Sequence, residues 1–357
     1  MPTANTLHFV FFANASPKIG AGHIMRLLAL AEVCFQKGIE VSFASYECPN
    51  YLAARLTAQG FSLIKLPFDY KLQHLQAFNA DAIVVDDYQV NDEQWRYFRN
   101  TTALLVNVDD NINNKTLISD IIVNPAAAAK RADYKKRAPQ ATLCLGPNFT
   151  LLRKEFVNQE YVDIEQRKRI LLTLGGADVK NMSLLLARAL LQNMPPTADV
   201  YVLLGGLNTQ SSLPLQALAN HHTNLFIIEK SEQVAELMMH SGLAITAAGG
   251  TLGELACVGT PSIALVSADN QKAALTVHDA HTWFSAVDVR DFIEVEKNEK
   301  DAIHNANLIE VIMSKAYELW NDLSSRKSMS FNARQLIDGH GCERIVDQVL
   351  EEIPKYR

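Results

Sequence analysis

Short apolar runs that end at Gly, Asp or Asn, each followed by a stretch of helical periodicity, recur from the N-terminus onward. This is the rhythm of βαβ units in a parallel sheet. Runs at 7–13, 39–45, 61–66, 82–86, 103–108 and 120–123 predict strands. Between the first two, Ile24, Leu27, Leu28, Ala31, Cys34 and Phe35 share one face of a helix that starts at His23 and stops at Gly38. The charged stretch Gln166-Arg167-Lys168-Arg169 interrupts the rhythm, which restarts at Ile170. Further strands are predicted at 199–204, 225–228, 243–247 and 261–266, with helices at 181–192, 233–240 and 252–257 and a largely helical pattern from Lys300. The expectation is an α/β chain of two Rossmann-like domains, 1–160 and 161–357, with C-terminal helices that could cross back to the first. Two doubly wound domains in series would face each other across a cleft, and the carboxyl ends of such sheets are where ligands bind.

Length agrees, since 357 residues exceed one ordinary core. Charge narrows the partners: 33 Lys+Arg against 39 Asp+Glu leaves a net −6, no footprint for a nucleic acid or an anionic membrane surface. Cys34, Cys48, Cys144, Cys257 and Cys342 are scattered and form no CxxC pair, which fits reduced thiols in a cytoplasm. The opening stretch 7–12 lacks a basic leader and reads as a strand rather than a signal core. No run approaches the roughly 20 apolar residues that span a bilayer. A cytoplasmic protein with a small-molecule substrate is expected; oligomeric state stays open.

Candidate chemistry concentrates where strands end. The loop Gly20-Ala21-Gly22-His23 follows the first strand and opens a helix, a place where backbone N–H groups can approach an anion. It is not a dinucleotide fingerprint, because Met25 stands where the third glycine of GxGxxG belongs. His23 reads equally as a helix-capping residue or as a base, and a helix N-terminus would help keep it neutral. Arg26, one turn on, suits a diphosphate or a neighbouring carboxylate, or is a surface arginine.

A second loop, Ala247-Ala248-Gly249-Gly250-Thr251-Leu252-Gly253-Glu254, again joins a strand end to a helix start with a glycine pair suited to a diphosphate. Glu254 has two readings. It stands at capping-box spacing from Thr251, and it could equally grip ribose hydroxyls. Gly175-Gly176 and Gly205-Gly206 end strands and are either cleft-lining or plain turns. Asp86-Asp87-Tyr88 ends a first-domain strand, where a phenol could hydrogen-bond a sugar or orient a water. Asp109-Asp110-Asn111 reads first as a turn, and Asn270 as either a ligand or an N-cap. The histidines are scattered, with no HExxH, and no GxSxG elbow occurs, so neither a metal, another cofactor nor a serine nucleophile is expected.

Taken together the blocks become recognisable. The stretch 20–31 resembles the GxGHxxRxLxLA signature of bacterial hydrolases that remove UDP from UDP-2,4-diacetamido-2,4,6-trideoxy-β-L-altropyranose in pseudaminic acid synthesis. The stretches 84–88, 145–156, 173–178, 247–254 and 268–271 agree in order. The resemblance covers roughly residues 7 to 350, and joint occurrence is more specific than any single motif. It implies a GT-B-like fold, similar to the lipid-linked N-acetylglucosaminyltransferase of peptidoglycan synthesis, with UDP held mainly by the C-terminal domain. It further implies His23 as the base that activates water for an inverting attack at the anomeric carbon. Tyr88 and Asn270 would touch sugar or water, with Gly22, Arg26, Asp87, Gly175 and Gly176 lining the substrate. Gly249, Gly250, Thr251 and Glu254 would hold UDP. A UDP-sugar glycosyltransferase and a non-catalytic UDP-sugar-binding protein are the competing readings.

Overall fold

Seven apolar runs of the N-terminal part pair as a single parallel sheet in a computed structural model. It describes residues 6–16, 19–66, 78–109, 116–127, 129–157, 159–176, 178–206, 208, 212–229, 231, 233–275, 283–295 and 297–355. The chain divides into two compact units, 1–154 with 339–357, and 155–338.

The sheet of the first unit comprises β1 (His8–Ala13), β2 (Glu40–Ser45), β3 (Ser62–Lys65), β4 (Ala82–Asp86), β5 (Leu104–Val108), β6 (Ile121–Asn124) and β7 (Thr142–Leu145). They run in the order β3-β2-β1-β4-β5-β6-β7. β4, β5 and β6 are buried at every position, as expected where helices cover both faces of a parallel sheet. That double burial is why continuous Val, Ile and Leu runs, rather than alternation, marked these strands in the sequence. The strand order reverses direction between β1 and β4, which makes their carboxyl ends a topological switch point. The register places Ala13 beside Asp86 and Phe12 beside Ala44. Continued by two residues or fewer, it sets Asn14, Tyr46 and Asp87 at one level.

The helix Gly341–Glu352 belongs with this unit rather than with the second, the crossing back that the expected division at 160/161 left open for the C-terminal helices. It is seated by close backbone contact: a Cβ on Gly341 would lie 2.2 Å from the carbonyl oxygen of Thr150. Arg344 donates to the carbonyl of Asn148 at 2.9 Å, and Thr142 donates to Glu352 at 2.9 Å.

The second unit carries β8 (Arg169–Thr173), β9 (Asp199–Leu204), β10 (Leu225–Glu229), β11 (Ser241–Ala247), β12 (Ser262–Val266) and β13 (Phe284–Asp288). They form a parallel sheet ordered β10-β9-β8-β11-β12-β13, whose switch point lies between β8 and β11. Ile170, Leu172, Leu186, Leu190, Val200, Ile245 and Ile312 belong to its largest core. β7 and β13, both at sheet edges, were not among the predicted strands. Each is short and mixes polar with apolar residues, because an edge strand is covered less completely. Among the described residues no helix is long and apolar enough to cross a membrane.

Candidate active site

At the switch point of the first sheet, β1 ends at Ala13 and the helix Gly22–Gln36 begins, one residue earlier than the pattern placed it. The intervening turn is closed by Gly20, whose amide donates to the carbonyl of Ser16 at 2.7 Å. Gly20 has φ +84°, a conformation open to glycine and costly for a side chain. No side chain caps the helix at Ala21, so the capping reading of His23 does not hold. His23 lies inside the first turn, and its ring turns instead toward the end of β4.

There Nδ1 sits 2.9 Å from the carbonyl oxygen of Asp86 and 3.0 Å from its carboxylate Oδ1. Both groups only accept, so Nδ1 carries a proton and the lone pair of the neutral ring is on Nε2. Asp86 itself is fully buried. Burial opposes its charge, but Arg26, which grips both carboxylate oxygens through Nε and Nη2, and His23 outweigh that and hold its carboxyl down at about 2. Arg26 is thus engaged with a neighbouring carboxylate, one of the options its position suggested. The same carboxylate acts on the imidazole against the helix N-terminus. Burial lowers the imidazole pKa, yet the charge and hydrogen bond of Asp86 raise it above its ordinary value.

Tyr88 packs edge-on against His23, ring centroids 4.7 Å apart at 84°, and is 42% exposed. Asp87, between Asp86 and Tyr88, has its carboxylate held by Asn14 Nδ2 and by the amide of Gln89 at 2.7 Å. Gly22 needs no glycine for packing, since an added Cβ would meet nothing within 4 Å. The fold therefore brings Gly22, His23, Arg26, Asp87 and Tyr88 together, and adds Asp86 and Asn14. Asp86 could have been read from the sequence as the first carboxylate after the all-apolar run Ala82–Val85. Asn14 carried no such signal. Asp109 does more than form a turn: it is buried and ion-paired with Arg137 at 2.9 Å. Asp110 and Asn111 lie outside the described residues.

In the second unit the corresponding strand ends carry backbone rather than charge. β11 leads through Ala248 and Gly249 into the helix Gly250–Cys257, whose start has no side-chain cap. Thr251 and Glu254 both lie within that helix, so they do not form the capping box their spacing allowed. Asn270 sits inside the short turn Asp269–Gln271, and residues 276 and 277 of the helical run it could cap lie outside the described residues. Gly205 packs against the preceding strand-end loop: a Cβ there would fall 2.2 Å from the carbonyl oxygen of Gly175 and 2.5 Å from that of Gly176. Asp178 anchors the same loop, accepting from the amides of Met182 and Ser183. Among the described residues no three His, Cys, Asp or Glu side chains are grouped to hold a metal ion.

No family model matches the chain. It is 26% identical over 273 residues to the UDP-2,4-diacetamido-2,4,6-trideoxy-β-L-altropyranose hydrolase of Campylobacter jejuni, covering 75% of this chain and 94% of that protein. It is 21% identical over 352 residues to the spore coat polysaccharide biosynthesis protein SpsG of Bacillus subtilis, covering 95% of this chain and 96% of that one. Among solved structures, Acinetobacter baumannii MurG superposes with a TM-score of 0.65 at 15% identity, over 97% of this chain and 99% of MurG. Staphylococcus aureus MnaA, solved with UDP, gives 0.64 at 14% identity, over 99% of this chain and 98% of its own. The fold is thus that of the GT-B glycosyltransferases and epimerases: two parallel-sheet α/β domains. The relatives are proteins of nucleotide-sugar and polysaccharide metabolism.

Proposed function

We propose that this chain hydrolyses a UDP-sugar at the anomeric carbon, with His23 as the general base. The observation that carries the reading is the Nδ1 contact of His23 with the buried Asp86. It commits one ring nitrogen to donation and leaves Nε2 to accept a proton. Water, deprotonated by Nε2, attacks C1 from the face opposite the leaving group. The C1–O bond to UDP breaks, UDP departs as the anion, and the free sugar is released with inversion. UDP is already a good leaving group, so one base and anion-stabilising backbone donors suffice, without the two carboxylates of most glycosidases.

Arg26 acts here as a positioning residue that keeps Asp86 ionised. Gly249, Gly250 and Thr251, at an uncapped helix start, receive the diphosphate, and Glu254 binds the ribose. Tyr88 and Asn270 contact the sugar or the attacking water, and Gly22, Gly175 and Gly176 let substrate approach backbone. The similarity to the C. jejuni hydrolase supports a UDP-2,4-diacetamido-2,4,6-trideoxyhexose as substrate and a place in nonulosonic acid synthesis in the cytoplasm. The five free cysteines agree with a reducing compartment.

The test is an NMR-monitored reaction with UDP-diacetamido-trideoxyhexoses in the presence of EDTA. UDP and the inverted free sugar should appear with water as the sole co-substrate. No release across the series would refute hydrolysis. Release only on addition of a sugar or lipid acceptor would establish transfer instead.

A further inference from the structure

Asp87 is built into the site more firmly than a turn residue needs to be. Its Oδ1 accepts the amide of Gln89 at 2.7 Å, the ordinary local bond of an Asp in a turn. Its Oδ2 is held by the side chain of Asn14, which is 1% exposed. The orientation of that amide is forced. Asn14 Oδ1 accepts from Ser45 Oγ, Tyr46 N and Glu47 N, each at 3.0 Å, so its Nδ2 is the end that meets Asp87. Tyr46 adds a third support: its hydroxyl lies 2.8 Å from Gln89 Oε1 and 3.4 Å from Asp87 Oδ2. Burial and then Asp87 push the Tyr46 phenol up to about 12, so it stays a donor. Three adjacent strand ends, β2, β1 and β4, therefore converge to fix one half-exposed carboxylate beside Tyr88, the residue whose ring packs on His23.

A carboxylate accepts about four hydrogen bonds, and among the described residues Asp87 has two full donors, Asn14 Nδ2 and the Gln89 amide, besides a Tyr46 hydroxyl whose one hydrogen lies nearer Gln89 Oε1. What remains is an acceptor with its rotamer locked by a buried amide, the form a recognition group takes when it must not adapt. We infer that Asp87 sets sugar specificity, taking a hydrogen bond from an N–H donor of an amide-substituted sugar. The inference rests on the UDP-sugar reading. Such a site rejects an isosteric sugar that lacks the donor, because the carboxylate is then left underpaired.

The experiment compares a UDP-diacetamido sugar with analogues in which each acetamido N–H is replaced singly by an ester oxygen. Wild type should lose about tenfold or more in kcat/KM on one analogue, the size of a charge-assisted bond. Asp87→Asn should raise KM for the diacetamido sugar by a similar factor, change kcat less than about threefold, and no longer distinguish that analogue. Asn14→Leu should shift KM in the same direction. A KM and a discrimination unchanged in Asp87→Asn would overturn the inference, as would a loss confined to kcat. Calorimetry in a His23→Ala background separates the two readings. If wild type turns nothing over, yet Asp87→Asn still weakens UDP-sugar binding relative to UDP alone, hydrolysis fails and the recognition role stands. Unchanged binding with turnover intact sinks the recognition role alone.

Discussion

The two units share one strand order over six strands, with β7 added in the first, and differ at its switch point. Between β1 and β4 the strand ends carry ionisable side chains: His23, Arg26, Asp86 and Asp87. Between β8 and β11 they carry Gly175, Gly176, Gly249 and Gly250, and the buried carboxylate of Asp178 anchors backbone amides. The equivalent switch point thus presents titratable side chains in one unit and glycine backbone in the other. A base needs a side chain whose pKa the surroundings can tune, whereas an anion is bound well by amides that cannot titrate.

The sharpest way to break this contrast is His23→Ala. Turnover should fall by about 10² to 10⁴, the usual contribution of a positioned base, while UDP affinity by calorimetry stays within about twofold. A similar loss of UDP binding would mean the two crevices do not divide the work.

Asp86→Asn comes next, with a loss in kcat of about 10² or more, since an orienting carboxylate fixes both tautomer and charge. It also tests the electrostatics. Asp86 raises the His23 pKa, so the acid limb of the pH–rate profile should lie above the ordinary imidazole value in wild type. In the variant it should move to lower pH. The linked stability has opposite signs for the two partners. The Asp86 contribution is present above its unfolded value near 3.8 and is lost as pH falls through about 2. The His23 contribution is complete below about 6.5 and is lost as pH rises through its raised folded value. Denaturation of wild type and Asp86→Asn across pH would reveal both, and parallel curves would contradict the pairing.

Gly205→Ala tests whether the glycines of the second unit are structural as well as functional. The new methyl would collide with the Gly175 and Gly176 carbonyls, at a cost of about 1–3 kcal/mol. An unchanged melting temperature would show that this loop yields freely. The smallest effect is expected from Glu254→Gln, about tenfold in UDP affinity with kcat little altered, as for one charge-assisted hydrogen bond to a ribose hydroxyl. If kcat fell instead, Glu254 would belong with the chemistry.

Much of this is legible in the sequence alone. β1, β4 and β9 and the helix after β1 appear in the sequence at nearly their final bounds, because these strands are apolar runs bounded by polar residues or turns and an amphipathic helix repeats at 3.6. His23, the Gly20–Gly22 loop and the Gly249–Gly250 pair stood out for the same local reason: an unusual residue at a strand-to-helix junction. Local reading also erred locally. It allowed a capping box at Thr251 and Glu254, which lapsed because the helix starts at Gly250.

The amino-acid sequence by itself determined the two α/β repeats and the junctions where chemistry could sit, since hydrophobic period and glycine placement act over a few residues. Only the tertiary structure decided what those junctions contain. The sheet order brings β4 beside β1, and so places Asp86, distant in sequence, against His23 and Arg26. It likewise aims Asn14 at Asp87, and returns the last helix to the first unit. The direction in which the His23 pKa is shifted follows from that pairing, because an imidazole pKa answers to the groups within a few ångströms and not to its neighbours along the chain.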